Sequence, residues 1–319
     1  MTPRQARLTA ARARADEVRR ELHIDVRHPI DIFEAIRQAG IWLVFHAMDG
    51  VLGVTLRQGV GGILINPERP LGMQRFTAAH ELGHWYLHDD AALDYEDDVS
   101  GADDGLRESE AHAFASAFLM PRRLVNQRLR QYGIQRHAPV DALIVYQVSR
   151  DLGVSYTALL VELRHLNVIT RAQQEHLGRT RVAHLKQRLS QIPAGWSHVW
   201  TTAGPGDVEL DVTVGDTVVL TLPENPTTGY RWSADPPADH RLSLRTDSLE
   251  LTEEDRLGTP GTRKFVLGAE SEGRQVLRLA LRRPWETTAP IETASLTAFV
   301  APTPADFNRR VLAPPLTTT

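Results

Sequence analysis

The sequence predicts a multidomain chain: a mixed α+β domain with a helical extension, then an all-β sandwich. Three observations carry this. Apolar residues recur at helical spacing through much of the first 190 residues. After about Gln191 the period drops to two: Val208, Leu210, Val212 and Val214 alternate with polar residues, as do Val218, Leu220 and Leu222. Leu277, Leu279 and Leu281 repeat the pattern, then Leu296, Ala298 and Val300, as an antiparallel sandwich requires. Between the two regimes lie the breakers Ile192-Pro193-Ala194-Gly195 and Ala203-Gly204-Pro205-Gly206.

The elements follow in order. Residues 3–22 read as a charged helix, and 30–39 as a second helix stopped by Gly40. The β-branched runs 41–47, 51–57 and 62–66, separated by Asp49-Gly50 and Gly61-Gly62, predict a small sheet. A helix follows at 71–88, with Pro70 suited to its first turn. Ala111, Phe114, Ala115, Phe118 and Leu119 form the apolar stripe of another helix, ending near Pro121. Residues 140–169 read as helix, tight turn, helix, and 171–190 as one more amphipathic helix. The expected organisation is an α+β domain at 1–135, a helix-turn-helix-like extension at 136–190, a linker at 191–206, the sandwich at 207–302, and a disordered tail at 303–319 rich in proline.

Composition narrows the function. Of 319 residues, 42% are hydrophobic and 24% charged, the balance of a water-soluble protein. No apolar run reaches the ~18 residues that span a bilayer, so no membrane role is expected. The absence of cysteine excludes disulfides and thiolate metal ligands and fits a cytoplasmic location. Net charge is −4, about +1 before residue 195 and about −5 after it. Neither half is a basic module, which makes DNA an unexpected partner.

The motif with the most chemistry is His80-Glu81-Leu82-Gly83-His84. Histidines four apart on a helix share a face, so both imidazoles can reach one ion, with Glu81 beside the ion's open position. That pattern suits Zn2+-assisted hydrolysis, in which the carboxylate takes a proton from an activated water. A third protein ligand is needed, and Glu108-Ser109-Glu110-Ala111-His112 supplies candidates on a packed helix.

With these two motifs, residues 25–190 resemble the ImmA/IrrE family of zinc metallopeptidases. The resemblance implies a zincin-like domain, His80, His84 and Glu108 as ligands, and Glu81 as general base. Glu110 ranks second as a ligand, or acts from the surrounding shell. His112 stands where the family has Asn or Asp; it would steady a ligand histidine or compete for the metal. His88 and Tyr86 read as ordinary helix residues or, as the second choice, as groups that stabilise an oxyanion. The family's usual substrate, a helix-turn-helix transcriptional repressor, is the implied partner. Residues 89–105 hold eight acidic and no basic residues, which reads as a solvated loop or as an acidic rim for a basic substrate.

Three sandwich loops carry a second resemblance. Asn225-Pro226-Thr227-Thr228-Gly229-Tyr230, the segment from Gly258 through Gly261 to Phe265, and Arg283-Pro284-Trp285-Glu286 resemble the loop set of the chagasin family of cysteine-peptidase inhibitors. That implies an immunoglobulin-like fold whose loops wedge into a papain-like cleft, making such a peptidase the partner of residues 207–302. The prolines stiffen the loops and limit the entropy lost on docking, and Trp285 is the kind of aromatic that anchors an interface. Two other readings stay open: a non-catalytic interaction protein whose sandwich captures a protease, and a DNA-binding regulator using residues 140–169.

Overall fold

The computed structural model describes residues 2–88, 92–95, 104–192, 197–235, 241–251, 261–286, 288–303 and 310–315, with 92–95 and 104 by backbone alone. The chain forms two compact units, Met1–Thr180 with Pro304–Thr319, and Arg181–Thr303. Among the described residues no helix is long and apolar enough to cross a membrane.

The first unit opens with α1 (Pro3–Glu21), capped by a reciprocal Thr2–Gln5 box. Its buried stripe, Ala11, Ala15 and Val18, is small enough to let a neighbouring helix lie close. In α2 (Ile32–Gln38) the Asp31 carboxylate accepts from the amides of Phe33 and Glu34. The three β-branched runs become β1 (Trp42–Phe45), β2 (Val51–Leu56) and β3 (Gly62–Ile65). β3 pairs parallel with β1 and antiparallel with β2. Helix α3 (Leu71–Leu87) packs on β2 and β3. β4 (Ala92–Tyr95) then adds antiparallel to β2, so a strand stands where the sequence suggested only acidic loop. The rest of that segment, Glu96, Asp97 and Asp98 included, lies outside the described residues.

Helix α4 (Asp104–Leu119) packs against both α1 and α3. Its approach to α3 is set by one glycine. A Cβ on Gly83 would sit 3.2 Å from the Cα and carbonyl oxygen of Ala111 and 3.2 Å from the Phe114 ring.

The extension consists of α5 (Arg122–Gln131), α6 (Ala142–Asp151), α7 (Tyr156–His165) and α8 (Arg171–Gly178). It is not a separate body, which corrects the boundary expected at 135. Glu162 of α7 is only 2% exposed and is held by the Arg12 guanidinium through bonds of 3.1 and 2.9 Å. A buried carboxylate needs such a partner, so α7 is fixed to α1. Arg75 of α3 likewise donates to the carbonyls of Gly153, at 3.0 Å, and Ile30, at 2.6 Å.

The second unit starts at α9 (Val182–Ser190). The single helix expected over 171–190 is broken after Gly178, a poor helix former, and Arg181 takes an extended conformation as the cap of α9. β5 (Val199–Ala203) occupies part of the expected linker. β6 (Asp207–Thr213), β7 (Thr217–Glu224), β8 (Arg231–Ala234), β9 (Leu242–Leu251), β10 (Gly261–Ala269), β11 (Gly273–Arg282) and β12 (Glu292–Ala301) follow. They form two four-stranded sheets, β5-β7-β10-β9 and β6-β12-β11-β8. β5 and β6 run parallel to their neighbours, so the sandwich is mixed rather than wholly antiparallel. Both sheets feed one core in which Leu220, Leu222, Phe265 and Leu267 meet Trp232, Leu277, Leu279 and Leu296.

Chain then returns to the first unit. β13 (Val311–Leu312) pairs antiparallel with β1, matching Val311 to Val44 and Leu312 to Leu43. The Phe45 amide also donates to the Arg310 carbonyl at 2.8 Å. This corrects the expectation of a wholly disordered tail. An open strand edge leaves backbone groups that a short apolar segment can satisfy. The completed sheet has the order β13-β1-β3-β2-β4.

The Gly83 contact gives a direct test. Gly83→Val should destabilise the first unit by about 1–3 kcal/mol through overpacking. Gly72→Ala, where an added Cβ meets nothing within 4 Å, should be neutral or slightly stabilising. Denaturant unfolding of both variants measures the difference; equal midpoints would show that α3 and α4 are not in tight contact.

Candidate metal centre and loop cluster

Because α3 is one rigid helix, His80 and His84 lie one turn apart on the face it turns to α4. Both are almost fully buried, at 2% and 1% exposure. Their Nε2 atoms face each other at 2.9 Å. From α4 the Glu108 carboxylate closes the set, with Oε2 3.0 Å from His80 Nε2 and Oε1 3.2 Å from His84 Nε2. Burial pushes the Glu108 carboxyl upward, but its close contacts with the His80 and His84 imidazoles outweigh it. Glu108 is held well below the usual carboxylate range.

These three side chains fit a small divalent cation. Tetrahedral zinc with bonds of ~2.1 Å has ligand–ligand edges of about 3.4 Å, a few tenths of an ångström longer than the separations seen here. Two imidazole nitrogens and one carboxylate oxygen form a common zinc donor set. His112 stands at the same place: it, His80 and Glu108 each offer a ligand atom within 4.8 Å of the others. The tighter triangle is the one made with His84. His112 itself is exposed, its Nδ1 3.0 Å from the Glu108 backbone carbonyl and its ring edge-on to His80 at 4.6 Å.

Glu81, on the adjacent position of α3, is fully buried against β2. The Thr55 hydroxyl lies 2.5 Å from its Oε2 and 3.0 Å from its backbone carbonyl. Gly53 makes room: a Cβ there would meet Thr77 at 2.6 Å and Glu81 Oε1 at 2.9 Å. Strand β2 therefore fixes the carboxylate, a role for Gly53 and Thr55 that no sequence motif signals.

The remaining candidates take other places. His88, the cap of α3, has Nδ1 3.0 Å from His84 Nδ1 and Nε2 3.3 Å from Glu110 Oε2. Burial lowers its pKa, outweighing the opposing pull of Glu110. Glu110 turns from the triangle and accepts two bonds from Arg7 of α1, at 2.5 and 2.8 Å. Desolvation raises its pKa, but the Arg7 and His88 hydrogen bonds prevail and hold it low. Tyr86 stacks on Phe114 at 6.3 Å beneath the Arg14 guanidinium. His88 and Tyr86 are thus both engaged by neighbouring side chains within the fold.

In the second unit, two of the three loops meet. Asn225 caps the one-turn helix Pro226–Thr228, its side chain accepting from the Thr227 amide at 3.2 Å and hydroxyl at 2.8 Å. Gly229 adopts φ +77, and an added Cβ would strike the Trp285 ring at 2.8 Å. Trp285 is 70% exposed, so it lies outside the core. Beside Pro284, Arg283 ties the loops together. It donates to the Thr228 carbonyl at 3.2 Å and to Glu286 at 2.8 Å, and lies 4.6 Å over the Tyr230 ring. Gly258 is outside the described residues; Gly261 opens β10 and pairs with Glu224, just before the first loop.

Comparison with known proteins gives two matches along the chain. The family model for the IrrE N-terminal-like domain matches residues 36–164, and that for the chagasin family peptidase inhibitor I42 matches residues 211–298. Amoebiasin-2 from Entamoeba histolytica is 32% identical over 78 residues, 24% of this chain and 63% of that protein, so the chain spans less than two thirds of it. Chagasin from Trypanosoma cruzi is 31% identical over 94 residues, 28% of this chain and 84% of chagasin. Among solved structures, the cysteine protease inhibitor EhICP2 from Entamoeba histolytica matches with 20% identity and a TM-score of 0.31, covering 34% of this chain and 100% of that one. PbICP-C in complex with falcipain-2 matches with 17% identity and a TM-score of 0.24, covering 32% and 90%.

The fit of Glu81 against β2 is testable without any substrate. Gly53→Ala should cost about 1–3 kcal/mol, because its methyl must displace Thr77 or the Glu81 carboxylate. Thermal unfolding measures this, and an unchanged midpoint would mean that β2 does not press on Glu81.

Proposed function

The chain belongs to the chagasin family of peptidase inhibitors and also carries an IrrE-like peptidase domain, and we propose that it joins a zinc-dependent endopeptidase to a cysteine-peptidase inhibitor. The observation that carries the peptidase half is the triangle of His80 Nε2, His84 Nε2 and the Glu108 carboxylate, 2.9–3.2 Å on each side. These residues would hold the ion. Zinc bound there would supply Lewis acidity, bringing a water towards ionisation near neutral pH and polarising a peptide carbonyl. Glu81, steadied by Thr55, takes up the proton of the attacking water and returns it to the departing amine. Burial of the histidines limits competing solvent around the scissile bond.

The substrate we assign is a helix-turn-helix transcriptional repressor, as the likeness of the two motif helices to the ImmA/IrrE family implies. The peptidase domain is then zincin-like, and the setting cytoplasmic and bacterial, in keeping with a chain that has no cysteine. A DNA-reading role for α6 and α7 has less support. On α7 the exposed basic residues are Arg164 and His165, while Glu162 is buried in its pair with Arg12. Phosphate contact would call for a more basic surface.

The inhibitor half rests on the pairing of the first and third loops under an exposed Trp285. In this reading the sandwich is immunoglobulin-like, and the loops enter the cleft of a papain-like peptidase. Pro226, Pro284 and the Arg283 bridge keep them close to their docked shape, which lowers the ordering cost of binding.

Two measurements test the proposal. Glu81→Gln should retain one zinc per chain and cut a co-expressed repressor at least about 100-fold more slowly; undiminished cleavage would remove Glu81 from the chemistry. The same full-length variant should inhibit papain, and a further Trp285→Ala change should weaken inhibition by about 30-fold or more, the loss typical of a central aromatic anchor. Papain activity indifferent to either protein would end the inhibitor assignment.

A further inference from the structure

Behind the proposed zinc ligands runs a continuous line of polar contacts that the chemistry above does not use. Arg7 grips Glu110 with two bonds, Glu110 Oε2 faces His88 Nε2 at 3.3 Å, and His88 Nδ1 faces His84 Nδ1 at 3.0 Å. His84, His88 and Glu110 are all buried, at 1%, 8% and 7% exposure. The line starts on α1, which lies outside both regions matched by family models.

Hydrogen-bond direction along this line has one consistent solution for neutral imidazoles. A carboxylate held by a guanidinium only accepts, so His88 Nε2 must carry the proton and donate it. His88 Nδ1 is then an acceptor, which requires His84 Nδ1 to be the donor. The lone pair of His84 is thereby left on Nε2, the atom that faces His80 and Glu108. One carboxylate, two residues removed along α4 from the ligand Glu108, decides which nitrogen His84 presents. Metal-binding histidines commonly have the second ring nitrogen oriented in this way by a carboxylate; here an intervening imidazole extends the reach to another helix.

We propose that Arg7, Glu110 and His88 form a positioning relay that fixes the His84 tautomer for metal binding, so that docking of the N-terminal helix controls how firmly the ion is kept. This rests on the zinc reading of the site. It gives α1 a function beyond packing: its Ala11 and Ala15 stripe seats the helix, and Arg7 transmits that seating to a ligand. Any partner that lifted α1 would loosen the centre without touching it.

The test uses the full chain and zinc itself. Zinc affinity and release are followed by competition with a chromophoric chelator for wild type, Arg7→Met, Arg7→Lys, Glu110→Gln and His88→Phe. The relay predicts about 10–100-fold weaker zinc binding for Arg7→Met, Glu110→Gln and His88→Phe, with partial rescue in Arg7→Lys. In parallel, long-range 1H–15N spectra of the histidines should show wild-type His88 protonated on Nε2 and His84 on Nδ1, with that pattern lost in Glu110→Gln. Circular dichroism checks that the variants fold, and should any fail to, the wild-type tautomers still decide. Zinc retained by all variants as in wild type, or His88 protonated on Nδ1, would overturn the relay alone. A wild-type chain that takes up no zinc would overturn the peptidase reading and the relay with it.

Discussion

Everything at the candidate centre depends on how closely α3 and α4 approach. Gly83 has no side chain where the two helices meet, and the backbone of Ala111 fills that space. Only at that separation can a carboxylate on one helix stand 3.0–3.2 Å from two imidazole nitrogens on the other. The cost of gathering these groups in a buried place is offset in part by pairing, since the Glu108 carboxylate faces both imidazoles. A helix pair spaced a few tenths of an ångström wider would still be a stable helix pair. It would set the Glu108 carboxylate farther from the two imidazoles.

The surroundings brace this contact from three sides. β2 presses Gly53 and Thr55 onto Glu81, α1 supplies Arg7 to Glu110, and α7 is tied to α1 through Arg12 and Glu162. The ties are charge-assisted and buried or half-buried, where directional bonds hold geometry best. Arginine makes two of these ties, because a planar fork can grip a carboxylate with two bonds at once. The scarcity of lysine, present only at Lys186 and Lys264, is in keeping with that use. The sandwich solves a different problem with simpler means. Its core is apolar, and its loop geometry is held by Asn225, Arg283 and a ring stacked on glycine.

Most elements were legible from local pattern. The helices at 3–22 and 71–88 agree with the structure to within a residue, since their caps and stripes are written in nearby positions. The departures occur where distant segments decide. β13 exists because β1 has an edge to offer, and the parallel placement of β5 and β6 depends on which strand each finds beside it. The extension joins the first unit through Arg12 and Arg75, whose partners lie 150 and 78 residues away. No window along the chain contains such information.

The sequence by itself determined the chemical inventory: two histidines and a glutamate at helical spacing, a second acidic helix, and stiff proline-bearing loops on a period-two domain. Spacing along a helix is fixed by its pitch, so these could be read without a structure. Tertiary structure decided which acidic residue joins the histidines, and that Glu110 and His88 stand behind the centre, not in it. It also decided that Thr55 and Gly53 position Glu81 and that Trp285 stays outside the core. Those outcomes turn on distances between elements far apart in the chain, set by packing and by the pairing of buried charge.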